Sequence, residues 1–378
     1  MYPQAPIHDP VWHLAQTRPD HPVMYFNPAA LRAAAERFRR GFPGLVTYAV
    51  KANPAPMVLE TLAAGGMQAF DVASPAEIEM VQAAAPGAAL HYNNPVRSHE
   101  EVATGVRAGV VSWSIDSLSE LDKLGRPRRP GEEVAVRIAL PVKGAHYDFG
   151  EKFGETPEGA AAILREVARR GFFPAITFHP GTQCAEPAAW AAYIEAAADV
   201  ARRAGVTIGR LNVGGGFAAH RAGPAPDLEA IFAAIDSAVA RAFDGPAPAL
   251  LCEPGRAMVA DCFVLATRIK AVRECGAIFL NDGLYGALSE LRDIGPNHRV
   301  RVIGPDGQER RGPIRPRVAF GPTCDSLDRV PDPVPLPGDL EEGDYLLFEG
   351  MGAYSLAIAT RFNGYGPGEV VTLAPGAA

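Results

Sequence analysis

"TYAVKAN" (residues 47–53) decides how this chain is read. Val46, Tyr48 and Val50 carry strand propensity, Asn53-Pro54 is a break, and the alanine- and leucine-rich residues that follow have helical period. Lys51 therefore falls at the carboxyl end of a strand that feeds a helix. Taken alone, such a lysine is an ordinary solvated charge. Its meaning depends on what stands at the ends of the other strands.

Seven further runs of this kind follow: "MQAFDVAS" (67–74), "AALHYNN" (88–94), "VVSWSID" (110–116), "EVAVRIALP" (133–141), "AITFHPGTQ" (175–183), "RLNVGGGF" (210–217) and "ALLCEPGR" (249–256). Amphipathic alanine-rich segments at 76–85, 157–170, 188–204 and 228–243 lie between them. Eight strands alternating with helices predict an α/β fold, a (β/α)8 TIM-type barrel, over an open doubly wound sheet with a nucleotide fingerprint after its first strand. In a barrel, Lys51, Asp71, Asn93, Asp116, Arg137, His179, Gly214, Gly215, Gly216, Glu253 and Arg256 would face one mouth. The predicted barrel spans 26–260. Past it, short apolar runs between Gly and Pro turns predict a mainly antiparallel β-domain over 261–378, with 309–317 and 330–338 as exposed loops.

Composition narrows the function. With 378 residues and 48% hydrophobic content the chain can bury a large core, and a net charge of -7 lacks the basic footprint of a nucleic-acid binder. "MYPQAPIHDPVWHL" (1–14) has neither a basic nor an apolar leader region, and no run of about 18 apolar residues occurs, so the expected protein is cytoplasmic and off the membrane. Cys184, Cys252, Cys262, Cys275 and Cys324 are scattered without C-x-x-C spacing, which predicts reduced thiols and no metal site.

Three strand ends carry chemistry. The glycines of "NVGGGF" (212–217) let backbone amides converge on an anion, and the absence of G-K-[ST] argues against a nucleoside triphosphate. In "CEPGR" (252–256), Glu253 and Arg256 form either a rim ion pair or a partner for a protonated ring nitrogen and one for a phosphate. In "FHPGTQ" (178–183), His179 is either a hydrogen-bonded structural residue or a flat ring to stack on a cofactor. Together with Lys51 as an amine, these are the groups that pyridoxal 5′-phosphate requires.

"YAVKAN", "FDVASPAE", "RIALP", "KFG", "FHPGTQ", "NVGGGF", "EPGR", "NDGLYG", "GPTCDSLD" and "GAYSLAIATRFNGY", in this order over nearly the whole chain, resemble the fold-type III, alanine-racemase-like pyridoxal-phosphate decarboxylases, in particular their ornithine decarboxylase group. The resemblance implies a β-domain that also takes in residues 1–25, and a homodimer with shared active sites. It makes Lys51 the Schiff-base lysine with Asp71 and Glu77 around it, Arg137 a neighbour of the ring and His179 the stacking histidine. Thr182, Gly214, Gly215, Gly216, Gly255, Arg256 and Tyr354 match cofactor-binding positions, and Glu253 the partner of the ring nitrogen. Cys324 matches the thiol that protonates the product carbon across the dimer, and Asp325 the carboxylate for a distal ammonium. Tyr285 and Phe362 match substrate contacts. A second acidic contact falls on Glu290 or Asp293, and Asp293 is the assignment made. Pro180, Thr182 and Gly350 depart from the family pattern.

The activity implied is decarboxylation of L-ornithine to putrescine, with L-lysine as the alternative. A racemase would need a catalytic tyrosine in place of "TCD", diaminopimelate decarboxylase a distal site for a carboxylate, and carboxynorspermidine decarboxylase fits "GPTCD" less well. From another class, a catalytically silent, antizyme-inhibitor-like binding protein is disfavoured by the retained Lys51, Cys324 and Asp325.

Overall fold

The computed structural model describes residues 7–141, 145–146 and 150–374. The chain forms two compact units, one of Ala35–Ala218 with Pro226–Gly255, the other of the remainder.

The first unit holds a single parallel sheet that closes on itself. Its strands are Leu45–Val46, Tyr48–Ala49, Ala69–Val72, Ala89–Tyr92, Ser112–Ile115, Glu133–Arg137, Phe173–Thr177, Arg210–Asn212 and Ala249–Cys252. The first two are one strand interrupted at Thr47: Leu45–Val46 pairs with Ala249–Cys252, and Tyr48–Ala49 with Ala69–Val72. Thr47 N donates to Cys252 O (2.9 Å) and Ala49 N to Pro254 O (3.2 Å), carrying the seam upward. Eight strands are thus wound into a barrel, as the alternating pattern predicts. Helices return between strands, for example Pro157–Arg170, started by the Thr156 side chain on Gly159 N and stopped at left-handed Gly171.

Every barrel strand stops before the end of the sequence run that predicted it. Tyr48–Ala49 gives way to a 3-10 turn, Val50–Ala52, and Phe173–Thr177 ends before His179. The reason is local: turn-forming Asn, Ser, Gly and Pro follow most of the strands, so Lys51, His179, the glycine run and Glu253 stand on turns above the ladder, while Asp71 and Arg137 remain in it.

Small barrels fill their interior with layers of side chains. Here one layer is polar. Register places His91 beside Ser112 and Ser112 beside Glu133; Ser112 Oγ donates to Glu133 Oε1 (2.6 Å), and Arg210 Nε lies 3.0 Å from Glu133 Oε2. Burial, and then the Arg210 cation, push the His91 imidazole down to about 3. This folded value lies below the unfolded one near 6.5, so the folded state binds fewer protons and loses stability as pH falls from 6.5 toward 3. Between pH 6.5 and 4.5 the loss from this group should be about 2 kcal/mol. Urea unfolding of the apoprotein at the two pH values should show that difference shrinking in His91→Leu; an unchanged pH slope would refute it.

The second unit is built on Phe263–Val272, which pairs antiparallel with Val23–Phe26, Tyr345–Glu349 and Ile278–Leu280. Among the described residues five of the unit's seven strand pairings are antiparallel, the exceptions being Val23–Phe26 with Glu369–Thr372 and Ile278–Leu280 with Ala319–Phe320. Leu14, Val23, Tyr25, Ala266, Ile303, Tyr345, Leu347 and Val371 form its core. The loops expected at 309–317 and 330–338 are corrected in part: Ile314–Arg317 and Val334–Pro337 form an antiparallel ribbon, with Pro316 opposite Pro335. Prolines mislead here because they lack an amide to donate, yet an edge ribbon does not need every donor. All five cysteines are free; Cys184, Cys252 and Cys262 are buried, Cys275 and Cys324 exposed. Among the described residues no helix is long and apolar enough to cross a membrane, and no cluster of metal-ligating side chains occurs.

Candidate active site

The barrel gathers the first group of expected residues at the carboxyl ends of its strands. Lys51, half-exposed, points its Nζ to within 3.6 Å of Asp71 Oδ2. Asp71 is buried; burial raises its carboxyl above the usual range, opposed first by the Lys51 ammonium and then by the Asn93 side-chain amide. Glu77 caps the next helix: its Oε2 accepts from Ala73 N (2.7 Å) while Ser74 Oγ accepts from Glu77 N (3.2 Å). Burial holds Glu77 up at about 6.

Glu253 is buried at the end of the last strand. Its Oε1 accepts hydrogen bonds from Asn93 Nδ2 (2.7 Å) and from Asn212 Nδ2, and among the described residues none is made to Oε2. Burial and then the Asp71 charge raise its carboxyl to about 7. Gly255 follows, and a Cβ there would come within 2.9 Å of Ala52 Cβ, so only glycine lets this turn lie against the one carrying Lys51. His179 is held well below its usual range, by burial first and then by Lys51 and Arg137; its Nδ1 accepts from Gly181 N (3.1 Å), which puts the proton of the neutral ring on Nε2. The Arg137 guanidinium lies over the Phe153 ring at 5.2 Å.

The glycine run is a cradle that side chains would fill. A Cβ on Gly214, Gly215 or Gly216 would stand 2.1 Å from Phe178 O, 2.7 Å from Glu253 O or 2.4 Å from Gly181 O. Gly214 N donates to Asn212 Oδ1 (2.9 Å), whereas among the described residues the amides of Gly215 and Gly216 donate to nothing. Buried Thr182 stands in the loop tied to this run by Cys184 N to Gly216 O (2.9 Å).

The remaining residues lie in the second unit. Arg256 is buried, its guanidinium 4.9 Å over the Tyr354 ring and bonded to Glu290, which also lies 3.5 Å from Arg221. Tyr285 Oη donates to Asp325 Oδ2, and the Phe362 ring lies 5.0 Å from that of Tyr285. The Tyr285 hydroxyl and the Leu327 amide hold the half-buried Asp325 carboxyl below its usual range. Neighbouring Cys324 is exposed, its amide donating to Asn363 Oδ1 (3.1 Å). The two acids left open by the sequence separate here. Glu290 is engaged by two arginines, and exposed Asp293 pairs with Arg292 (2.9 Å) rather than joining Tyr285 and Asp325.

Sequence reasoning missed Asn212, Arg221 and Asp328. Asp328 Oδ1 accepts from Leu284 N (2.7 Å), and its Oδ2 from Thr323 N (3.1 Å) and Thr323 Oγ1 (2.8 Å), so one buried carboxylate buckles the Tyr285 loop to the Asp325 loop. Its place inside "GPTCDSLD" was the available signal, since a short Asp amid Gly, Pro and Ser often accepts from loop amides.

A cradle with two undonated amides, a ring-shaped neutral imidazole, a buried carboxylate with one oxygen uncommitted and an amine beside a buried aspartate fit pyridoxal 5′-phosphate. Comparison with known proteins agrees. Residues 29–260 match the family described as pyridoxal-dependent decarboxylase, pyridoxal binding domain. The chain is 32% identical to an ornithine decarboxylase of Panagrellus redivivus over 92% of its own length and 84% of that protein's. It is 33% identical to a lysine/ornithine decarboxylase of Selenomonas ruminantium over 85% and 81%. The crystal structure of the arginine decarboxylase of Paramecium bursaria Chlorella virus superimposes with a TM-score of 0.85 at 25% identity, covering 96% of this chain and 98% of that one. The chain belongs to the pyridoxal-dependent decarboxylases, and its cofactor is pyridoxal 5′-phosphate.

Proposed function

We propose that this enzyme decarboxylates a basic L-amino acid, with L-ornithine to putrescine and CO2 as its main reaction and L-lysine as the second substrate. The observation that carries the reading is the Tyr285–Asp325–Phe362 cluster: an ionised carboxylate flanked by aromatic rings is built to take an ammonium at the end of an aliphatic arm. The relatives named for ornithine and lysine support it. With Glu290 and Asp293 both turned to arginines, Asp325 is the acid we assign to the substrate's far end.

The chemistry supplied by the cofactor is an electron sink for the bond between Cα and the departing carboxylate. Lys51 is the amine that holds it and yields to the substrate amine. Glu253, with Oε2 uncommitted, would accept the ring N–H, His179 would cover a ring face as the neutral imidazole, and Arg137 and Thr182 would help hold the ring and phosphate. Gly215 and Gly216 would donate to the phosphate. Arg256, whose motif the family gives to the phosphate, is steadied by Tyr354 and Glu290. The Cys324 thiol delivers the proton that replaces CO2 on Cα. We place Cys324 and Asp325 in the active site of a second copy of the chain, which makes the homodimer the working unit.

CO2 release from L-ornithine, L-lysine, L-arginine and meso-diaminopimelate tests the proposal. Ornithine should lead, and no release from any of them would leave the silent binding protein standing. Asp325→Ala should lower kcat/KM for ornithine and lysine by about 30-fold or more, because a charge-assisted contact is lost where the site is closed to water. Norvaline, which lacks the ammonium, should change little; equal losses would make Asp325 a scaffold residue.

A further inference from the structure

Two asparagines from separate strands converge on one oxygen of Glu253. Asn93 stands just past Ala89–Tyr92 and Asn212 ends Arg210–Asn212, and both donate Nδ2 to Oε1. Their amides cannot be turned round without setting a carbonyl oxygen against the carboxylate. Asn212 is pinned at its other end as well, since its Oδ1 accepts from Gly214 N (2.9 Å). Asn93 Oδ1 is buried without a hydrogen-bond partner among the described residues, and its amide group serves the two buried carboxylates beside it, Glu253 at 2.7 Å and Asp71. Buried acceptors are seldom left so, and the amide donor on the other side is what this side chain contributes.

We infer that Asn93 and Asn212 are positioning residues that keep Glu253 in its carboxylate form with Oε2 turned to the cofactor's ring nitrogen, and that Asn212 fixes this acid relative to the phosphate-binding glycine run. The inference rests on the reading of Glu253 as the partner of that nitrogen. Two N–H donors on one oxygen stabilise the anion and use up that oxygen, so the ring N–H meets the other. They work against burial and against Asp71, both of which raise the Glu253 carboxyl, while Lys51 and Arg137 are the cations that face it. Without the donors the carboxyl becomes the stronger base, and the shared proton moves from the ring nitrogen onto Glu253.

The proton's position can be read directly. Holoenzyme reconstituted with pyridoxal 5′-phosphate labelled with 15N in the ring reports by its 15N chemical shift whether that nitrogen is protonated. The wild-type enzyme should show a protonated nitrogen near pH 7 and Glu253→Gln an unprotonated one. Asn93→Leu and Asn212→Leu, which keep the branched shape without the donor, should each move the proton partition toward Glu253 by about tenfold, giving shifts between those two limits. Wild-type shifts in folded Asn93→Leu and Asn212→Leu beside an unprotonated Glu253→Gln would overturn the role of the asparagines. A protonated nitrogen in Glu253→Gln would overturn the reading of Glu253 itself. Should Asn212→Leu fail to fold, Asn93→Leu alone decides, because its side chain holds no loop amide.

Discussion

Lys51→Ala should lose decarboxylation on the order of 10³-fold or more, together with every trace of covalently held cofactor, because the amine that both binds and exchanges is removed. The structure gives this residue its standing. Lys51 is on the 3-10 turn Val50–Ala52, set by the close approach of Gly255 to Ala52 and Ala49, with Nζ 3.6 Å from buried Asp71. Borohydride treatment of the wild-type holoenzyme followed by peptide mapping should label residue 51. A label on another lysine, or an alanine variant in which borohydride still fixes the cofactor covalently, would end the assignment. Added methylamine should restore part of the rate in Lys51→Ala by supplying the missing amine in free form.

The second large effect is expected from Gly214→Ala. A Cβ there would stand 2.1 Å from the carbonyl oxygen of Phe178, and the residue sits at φ +68, where an L side chain is strained. Backbone cannot yield as a side-chain tip can, so the turn carrying His179 must shift with it. The expected cost is about 2–4 kcal/mol of stability. The affinity for pyridoxal 5′-phosphate should fall about 100-fold or more, since the neighbouring amides lose their aim at the phosphate. Pyridoxal, which lacks the phosphate, separates cradle from pocket: fluorescence titration of the apoprotein should show a much smaller loss for it. Equal losses for both ligands would place the damage elsewhere. Gly87→Ala, at φ +85 with open space around the new Cβ, supplies the matched control for backbone strain alone.

The alternation of eight apolar runs with helical periods was enough to predict a closed barrel, because strand and helix patterns are local and a parallel sheet must bury both faces. Lysine, glycine run, histidine and glutamate were legible for a related reason: in a barrel the strand ends share one mouth, so position along each run already says where a residue points. Taken together those groups already pointed to the cofactor, and the resemblance of motifs in order along the chain added the class of reaction. What could not be read from the sequence were the partners that act across it. Asn93 and Asn212 are 119 residues apart in number yet donate to one oxygen of Glu253, and nothing in either run marks an amide for that role. Asp328 joins two loops 44 residues apart through three donors, and Glu290, open in the sequence as a substrate contact, is taken by Arg256 and Arg221. The proline-rich ribbon of Ile314–Arg317 and Val334–Pro337 was misread for the same cause, since its pairing is made with a distant segment. Periodicity and turn chemistry are properties of neighbours in the chain, so the sequence alone determined the elements and the residues at their ends. Which donor meets which acceptor depends on distances that exist only after the barrel has closed and the β-strands have paired, and there the tertiary structure decided.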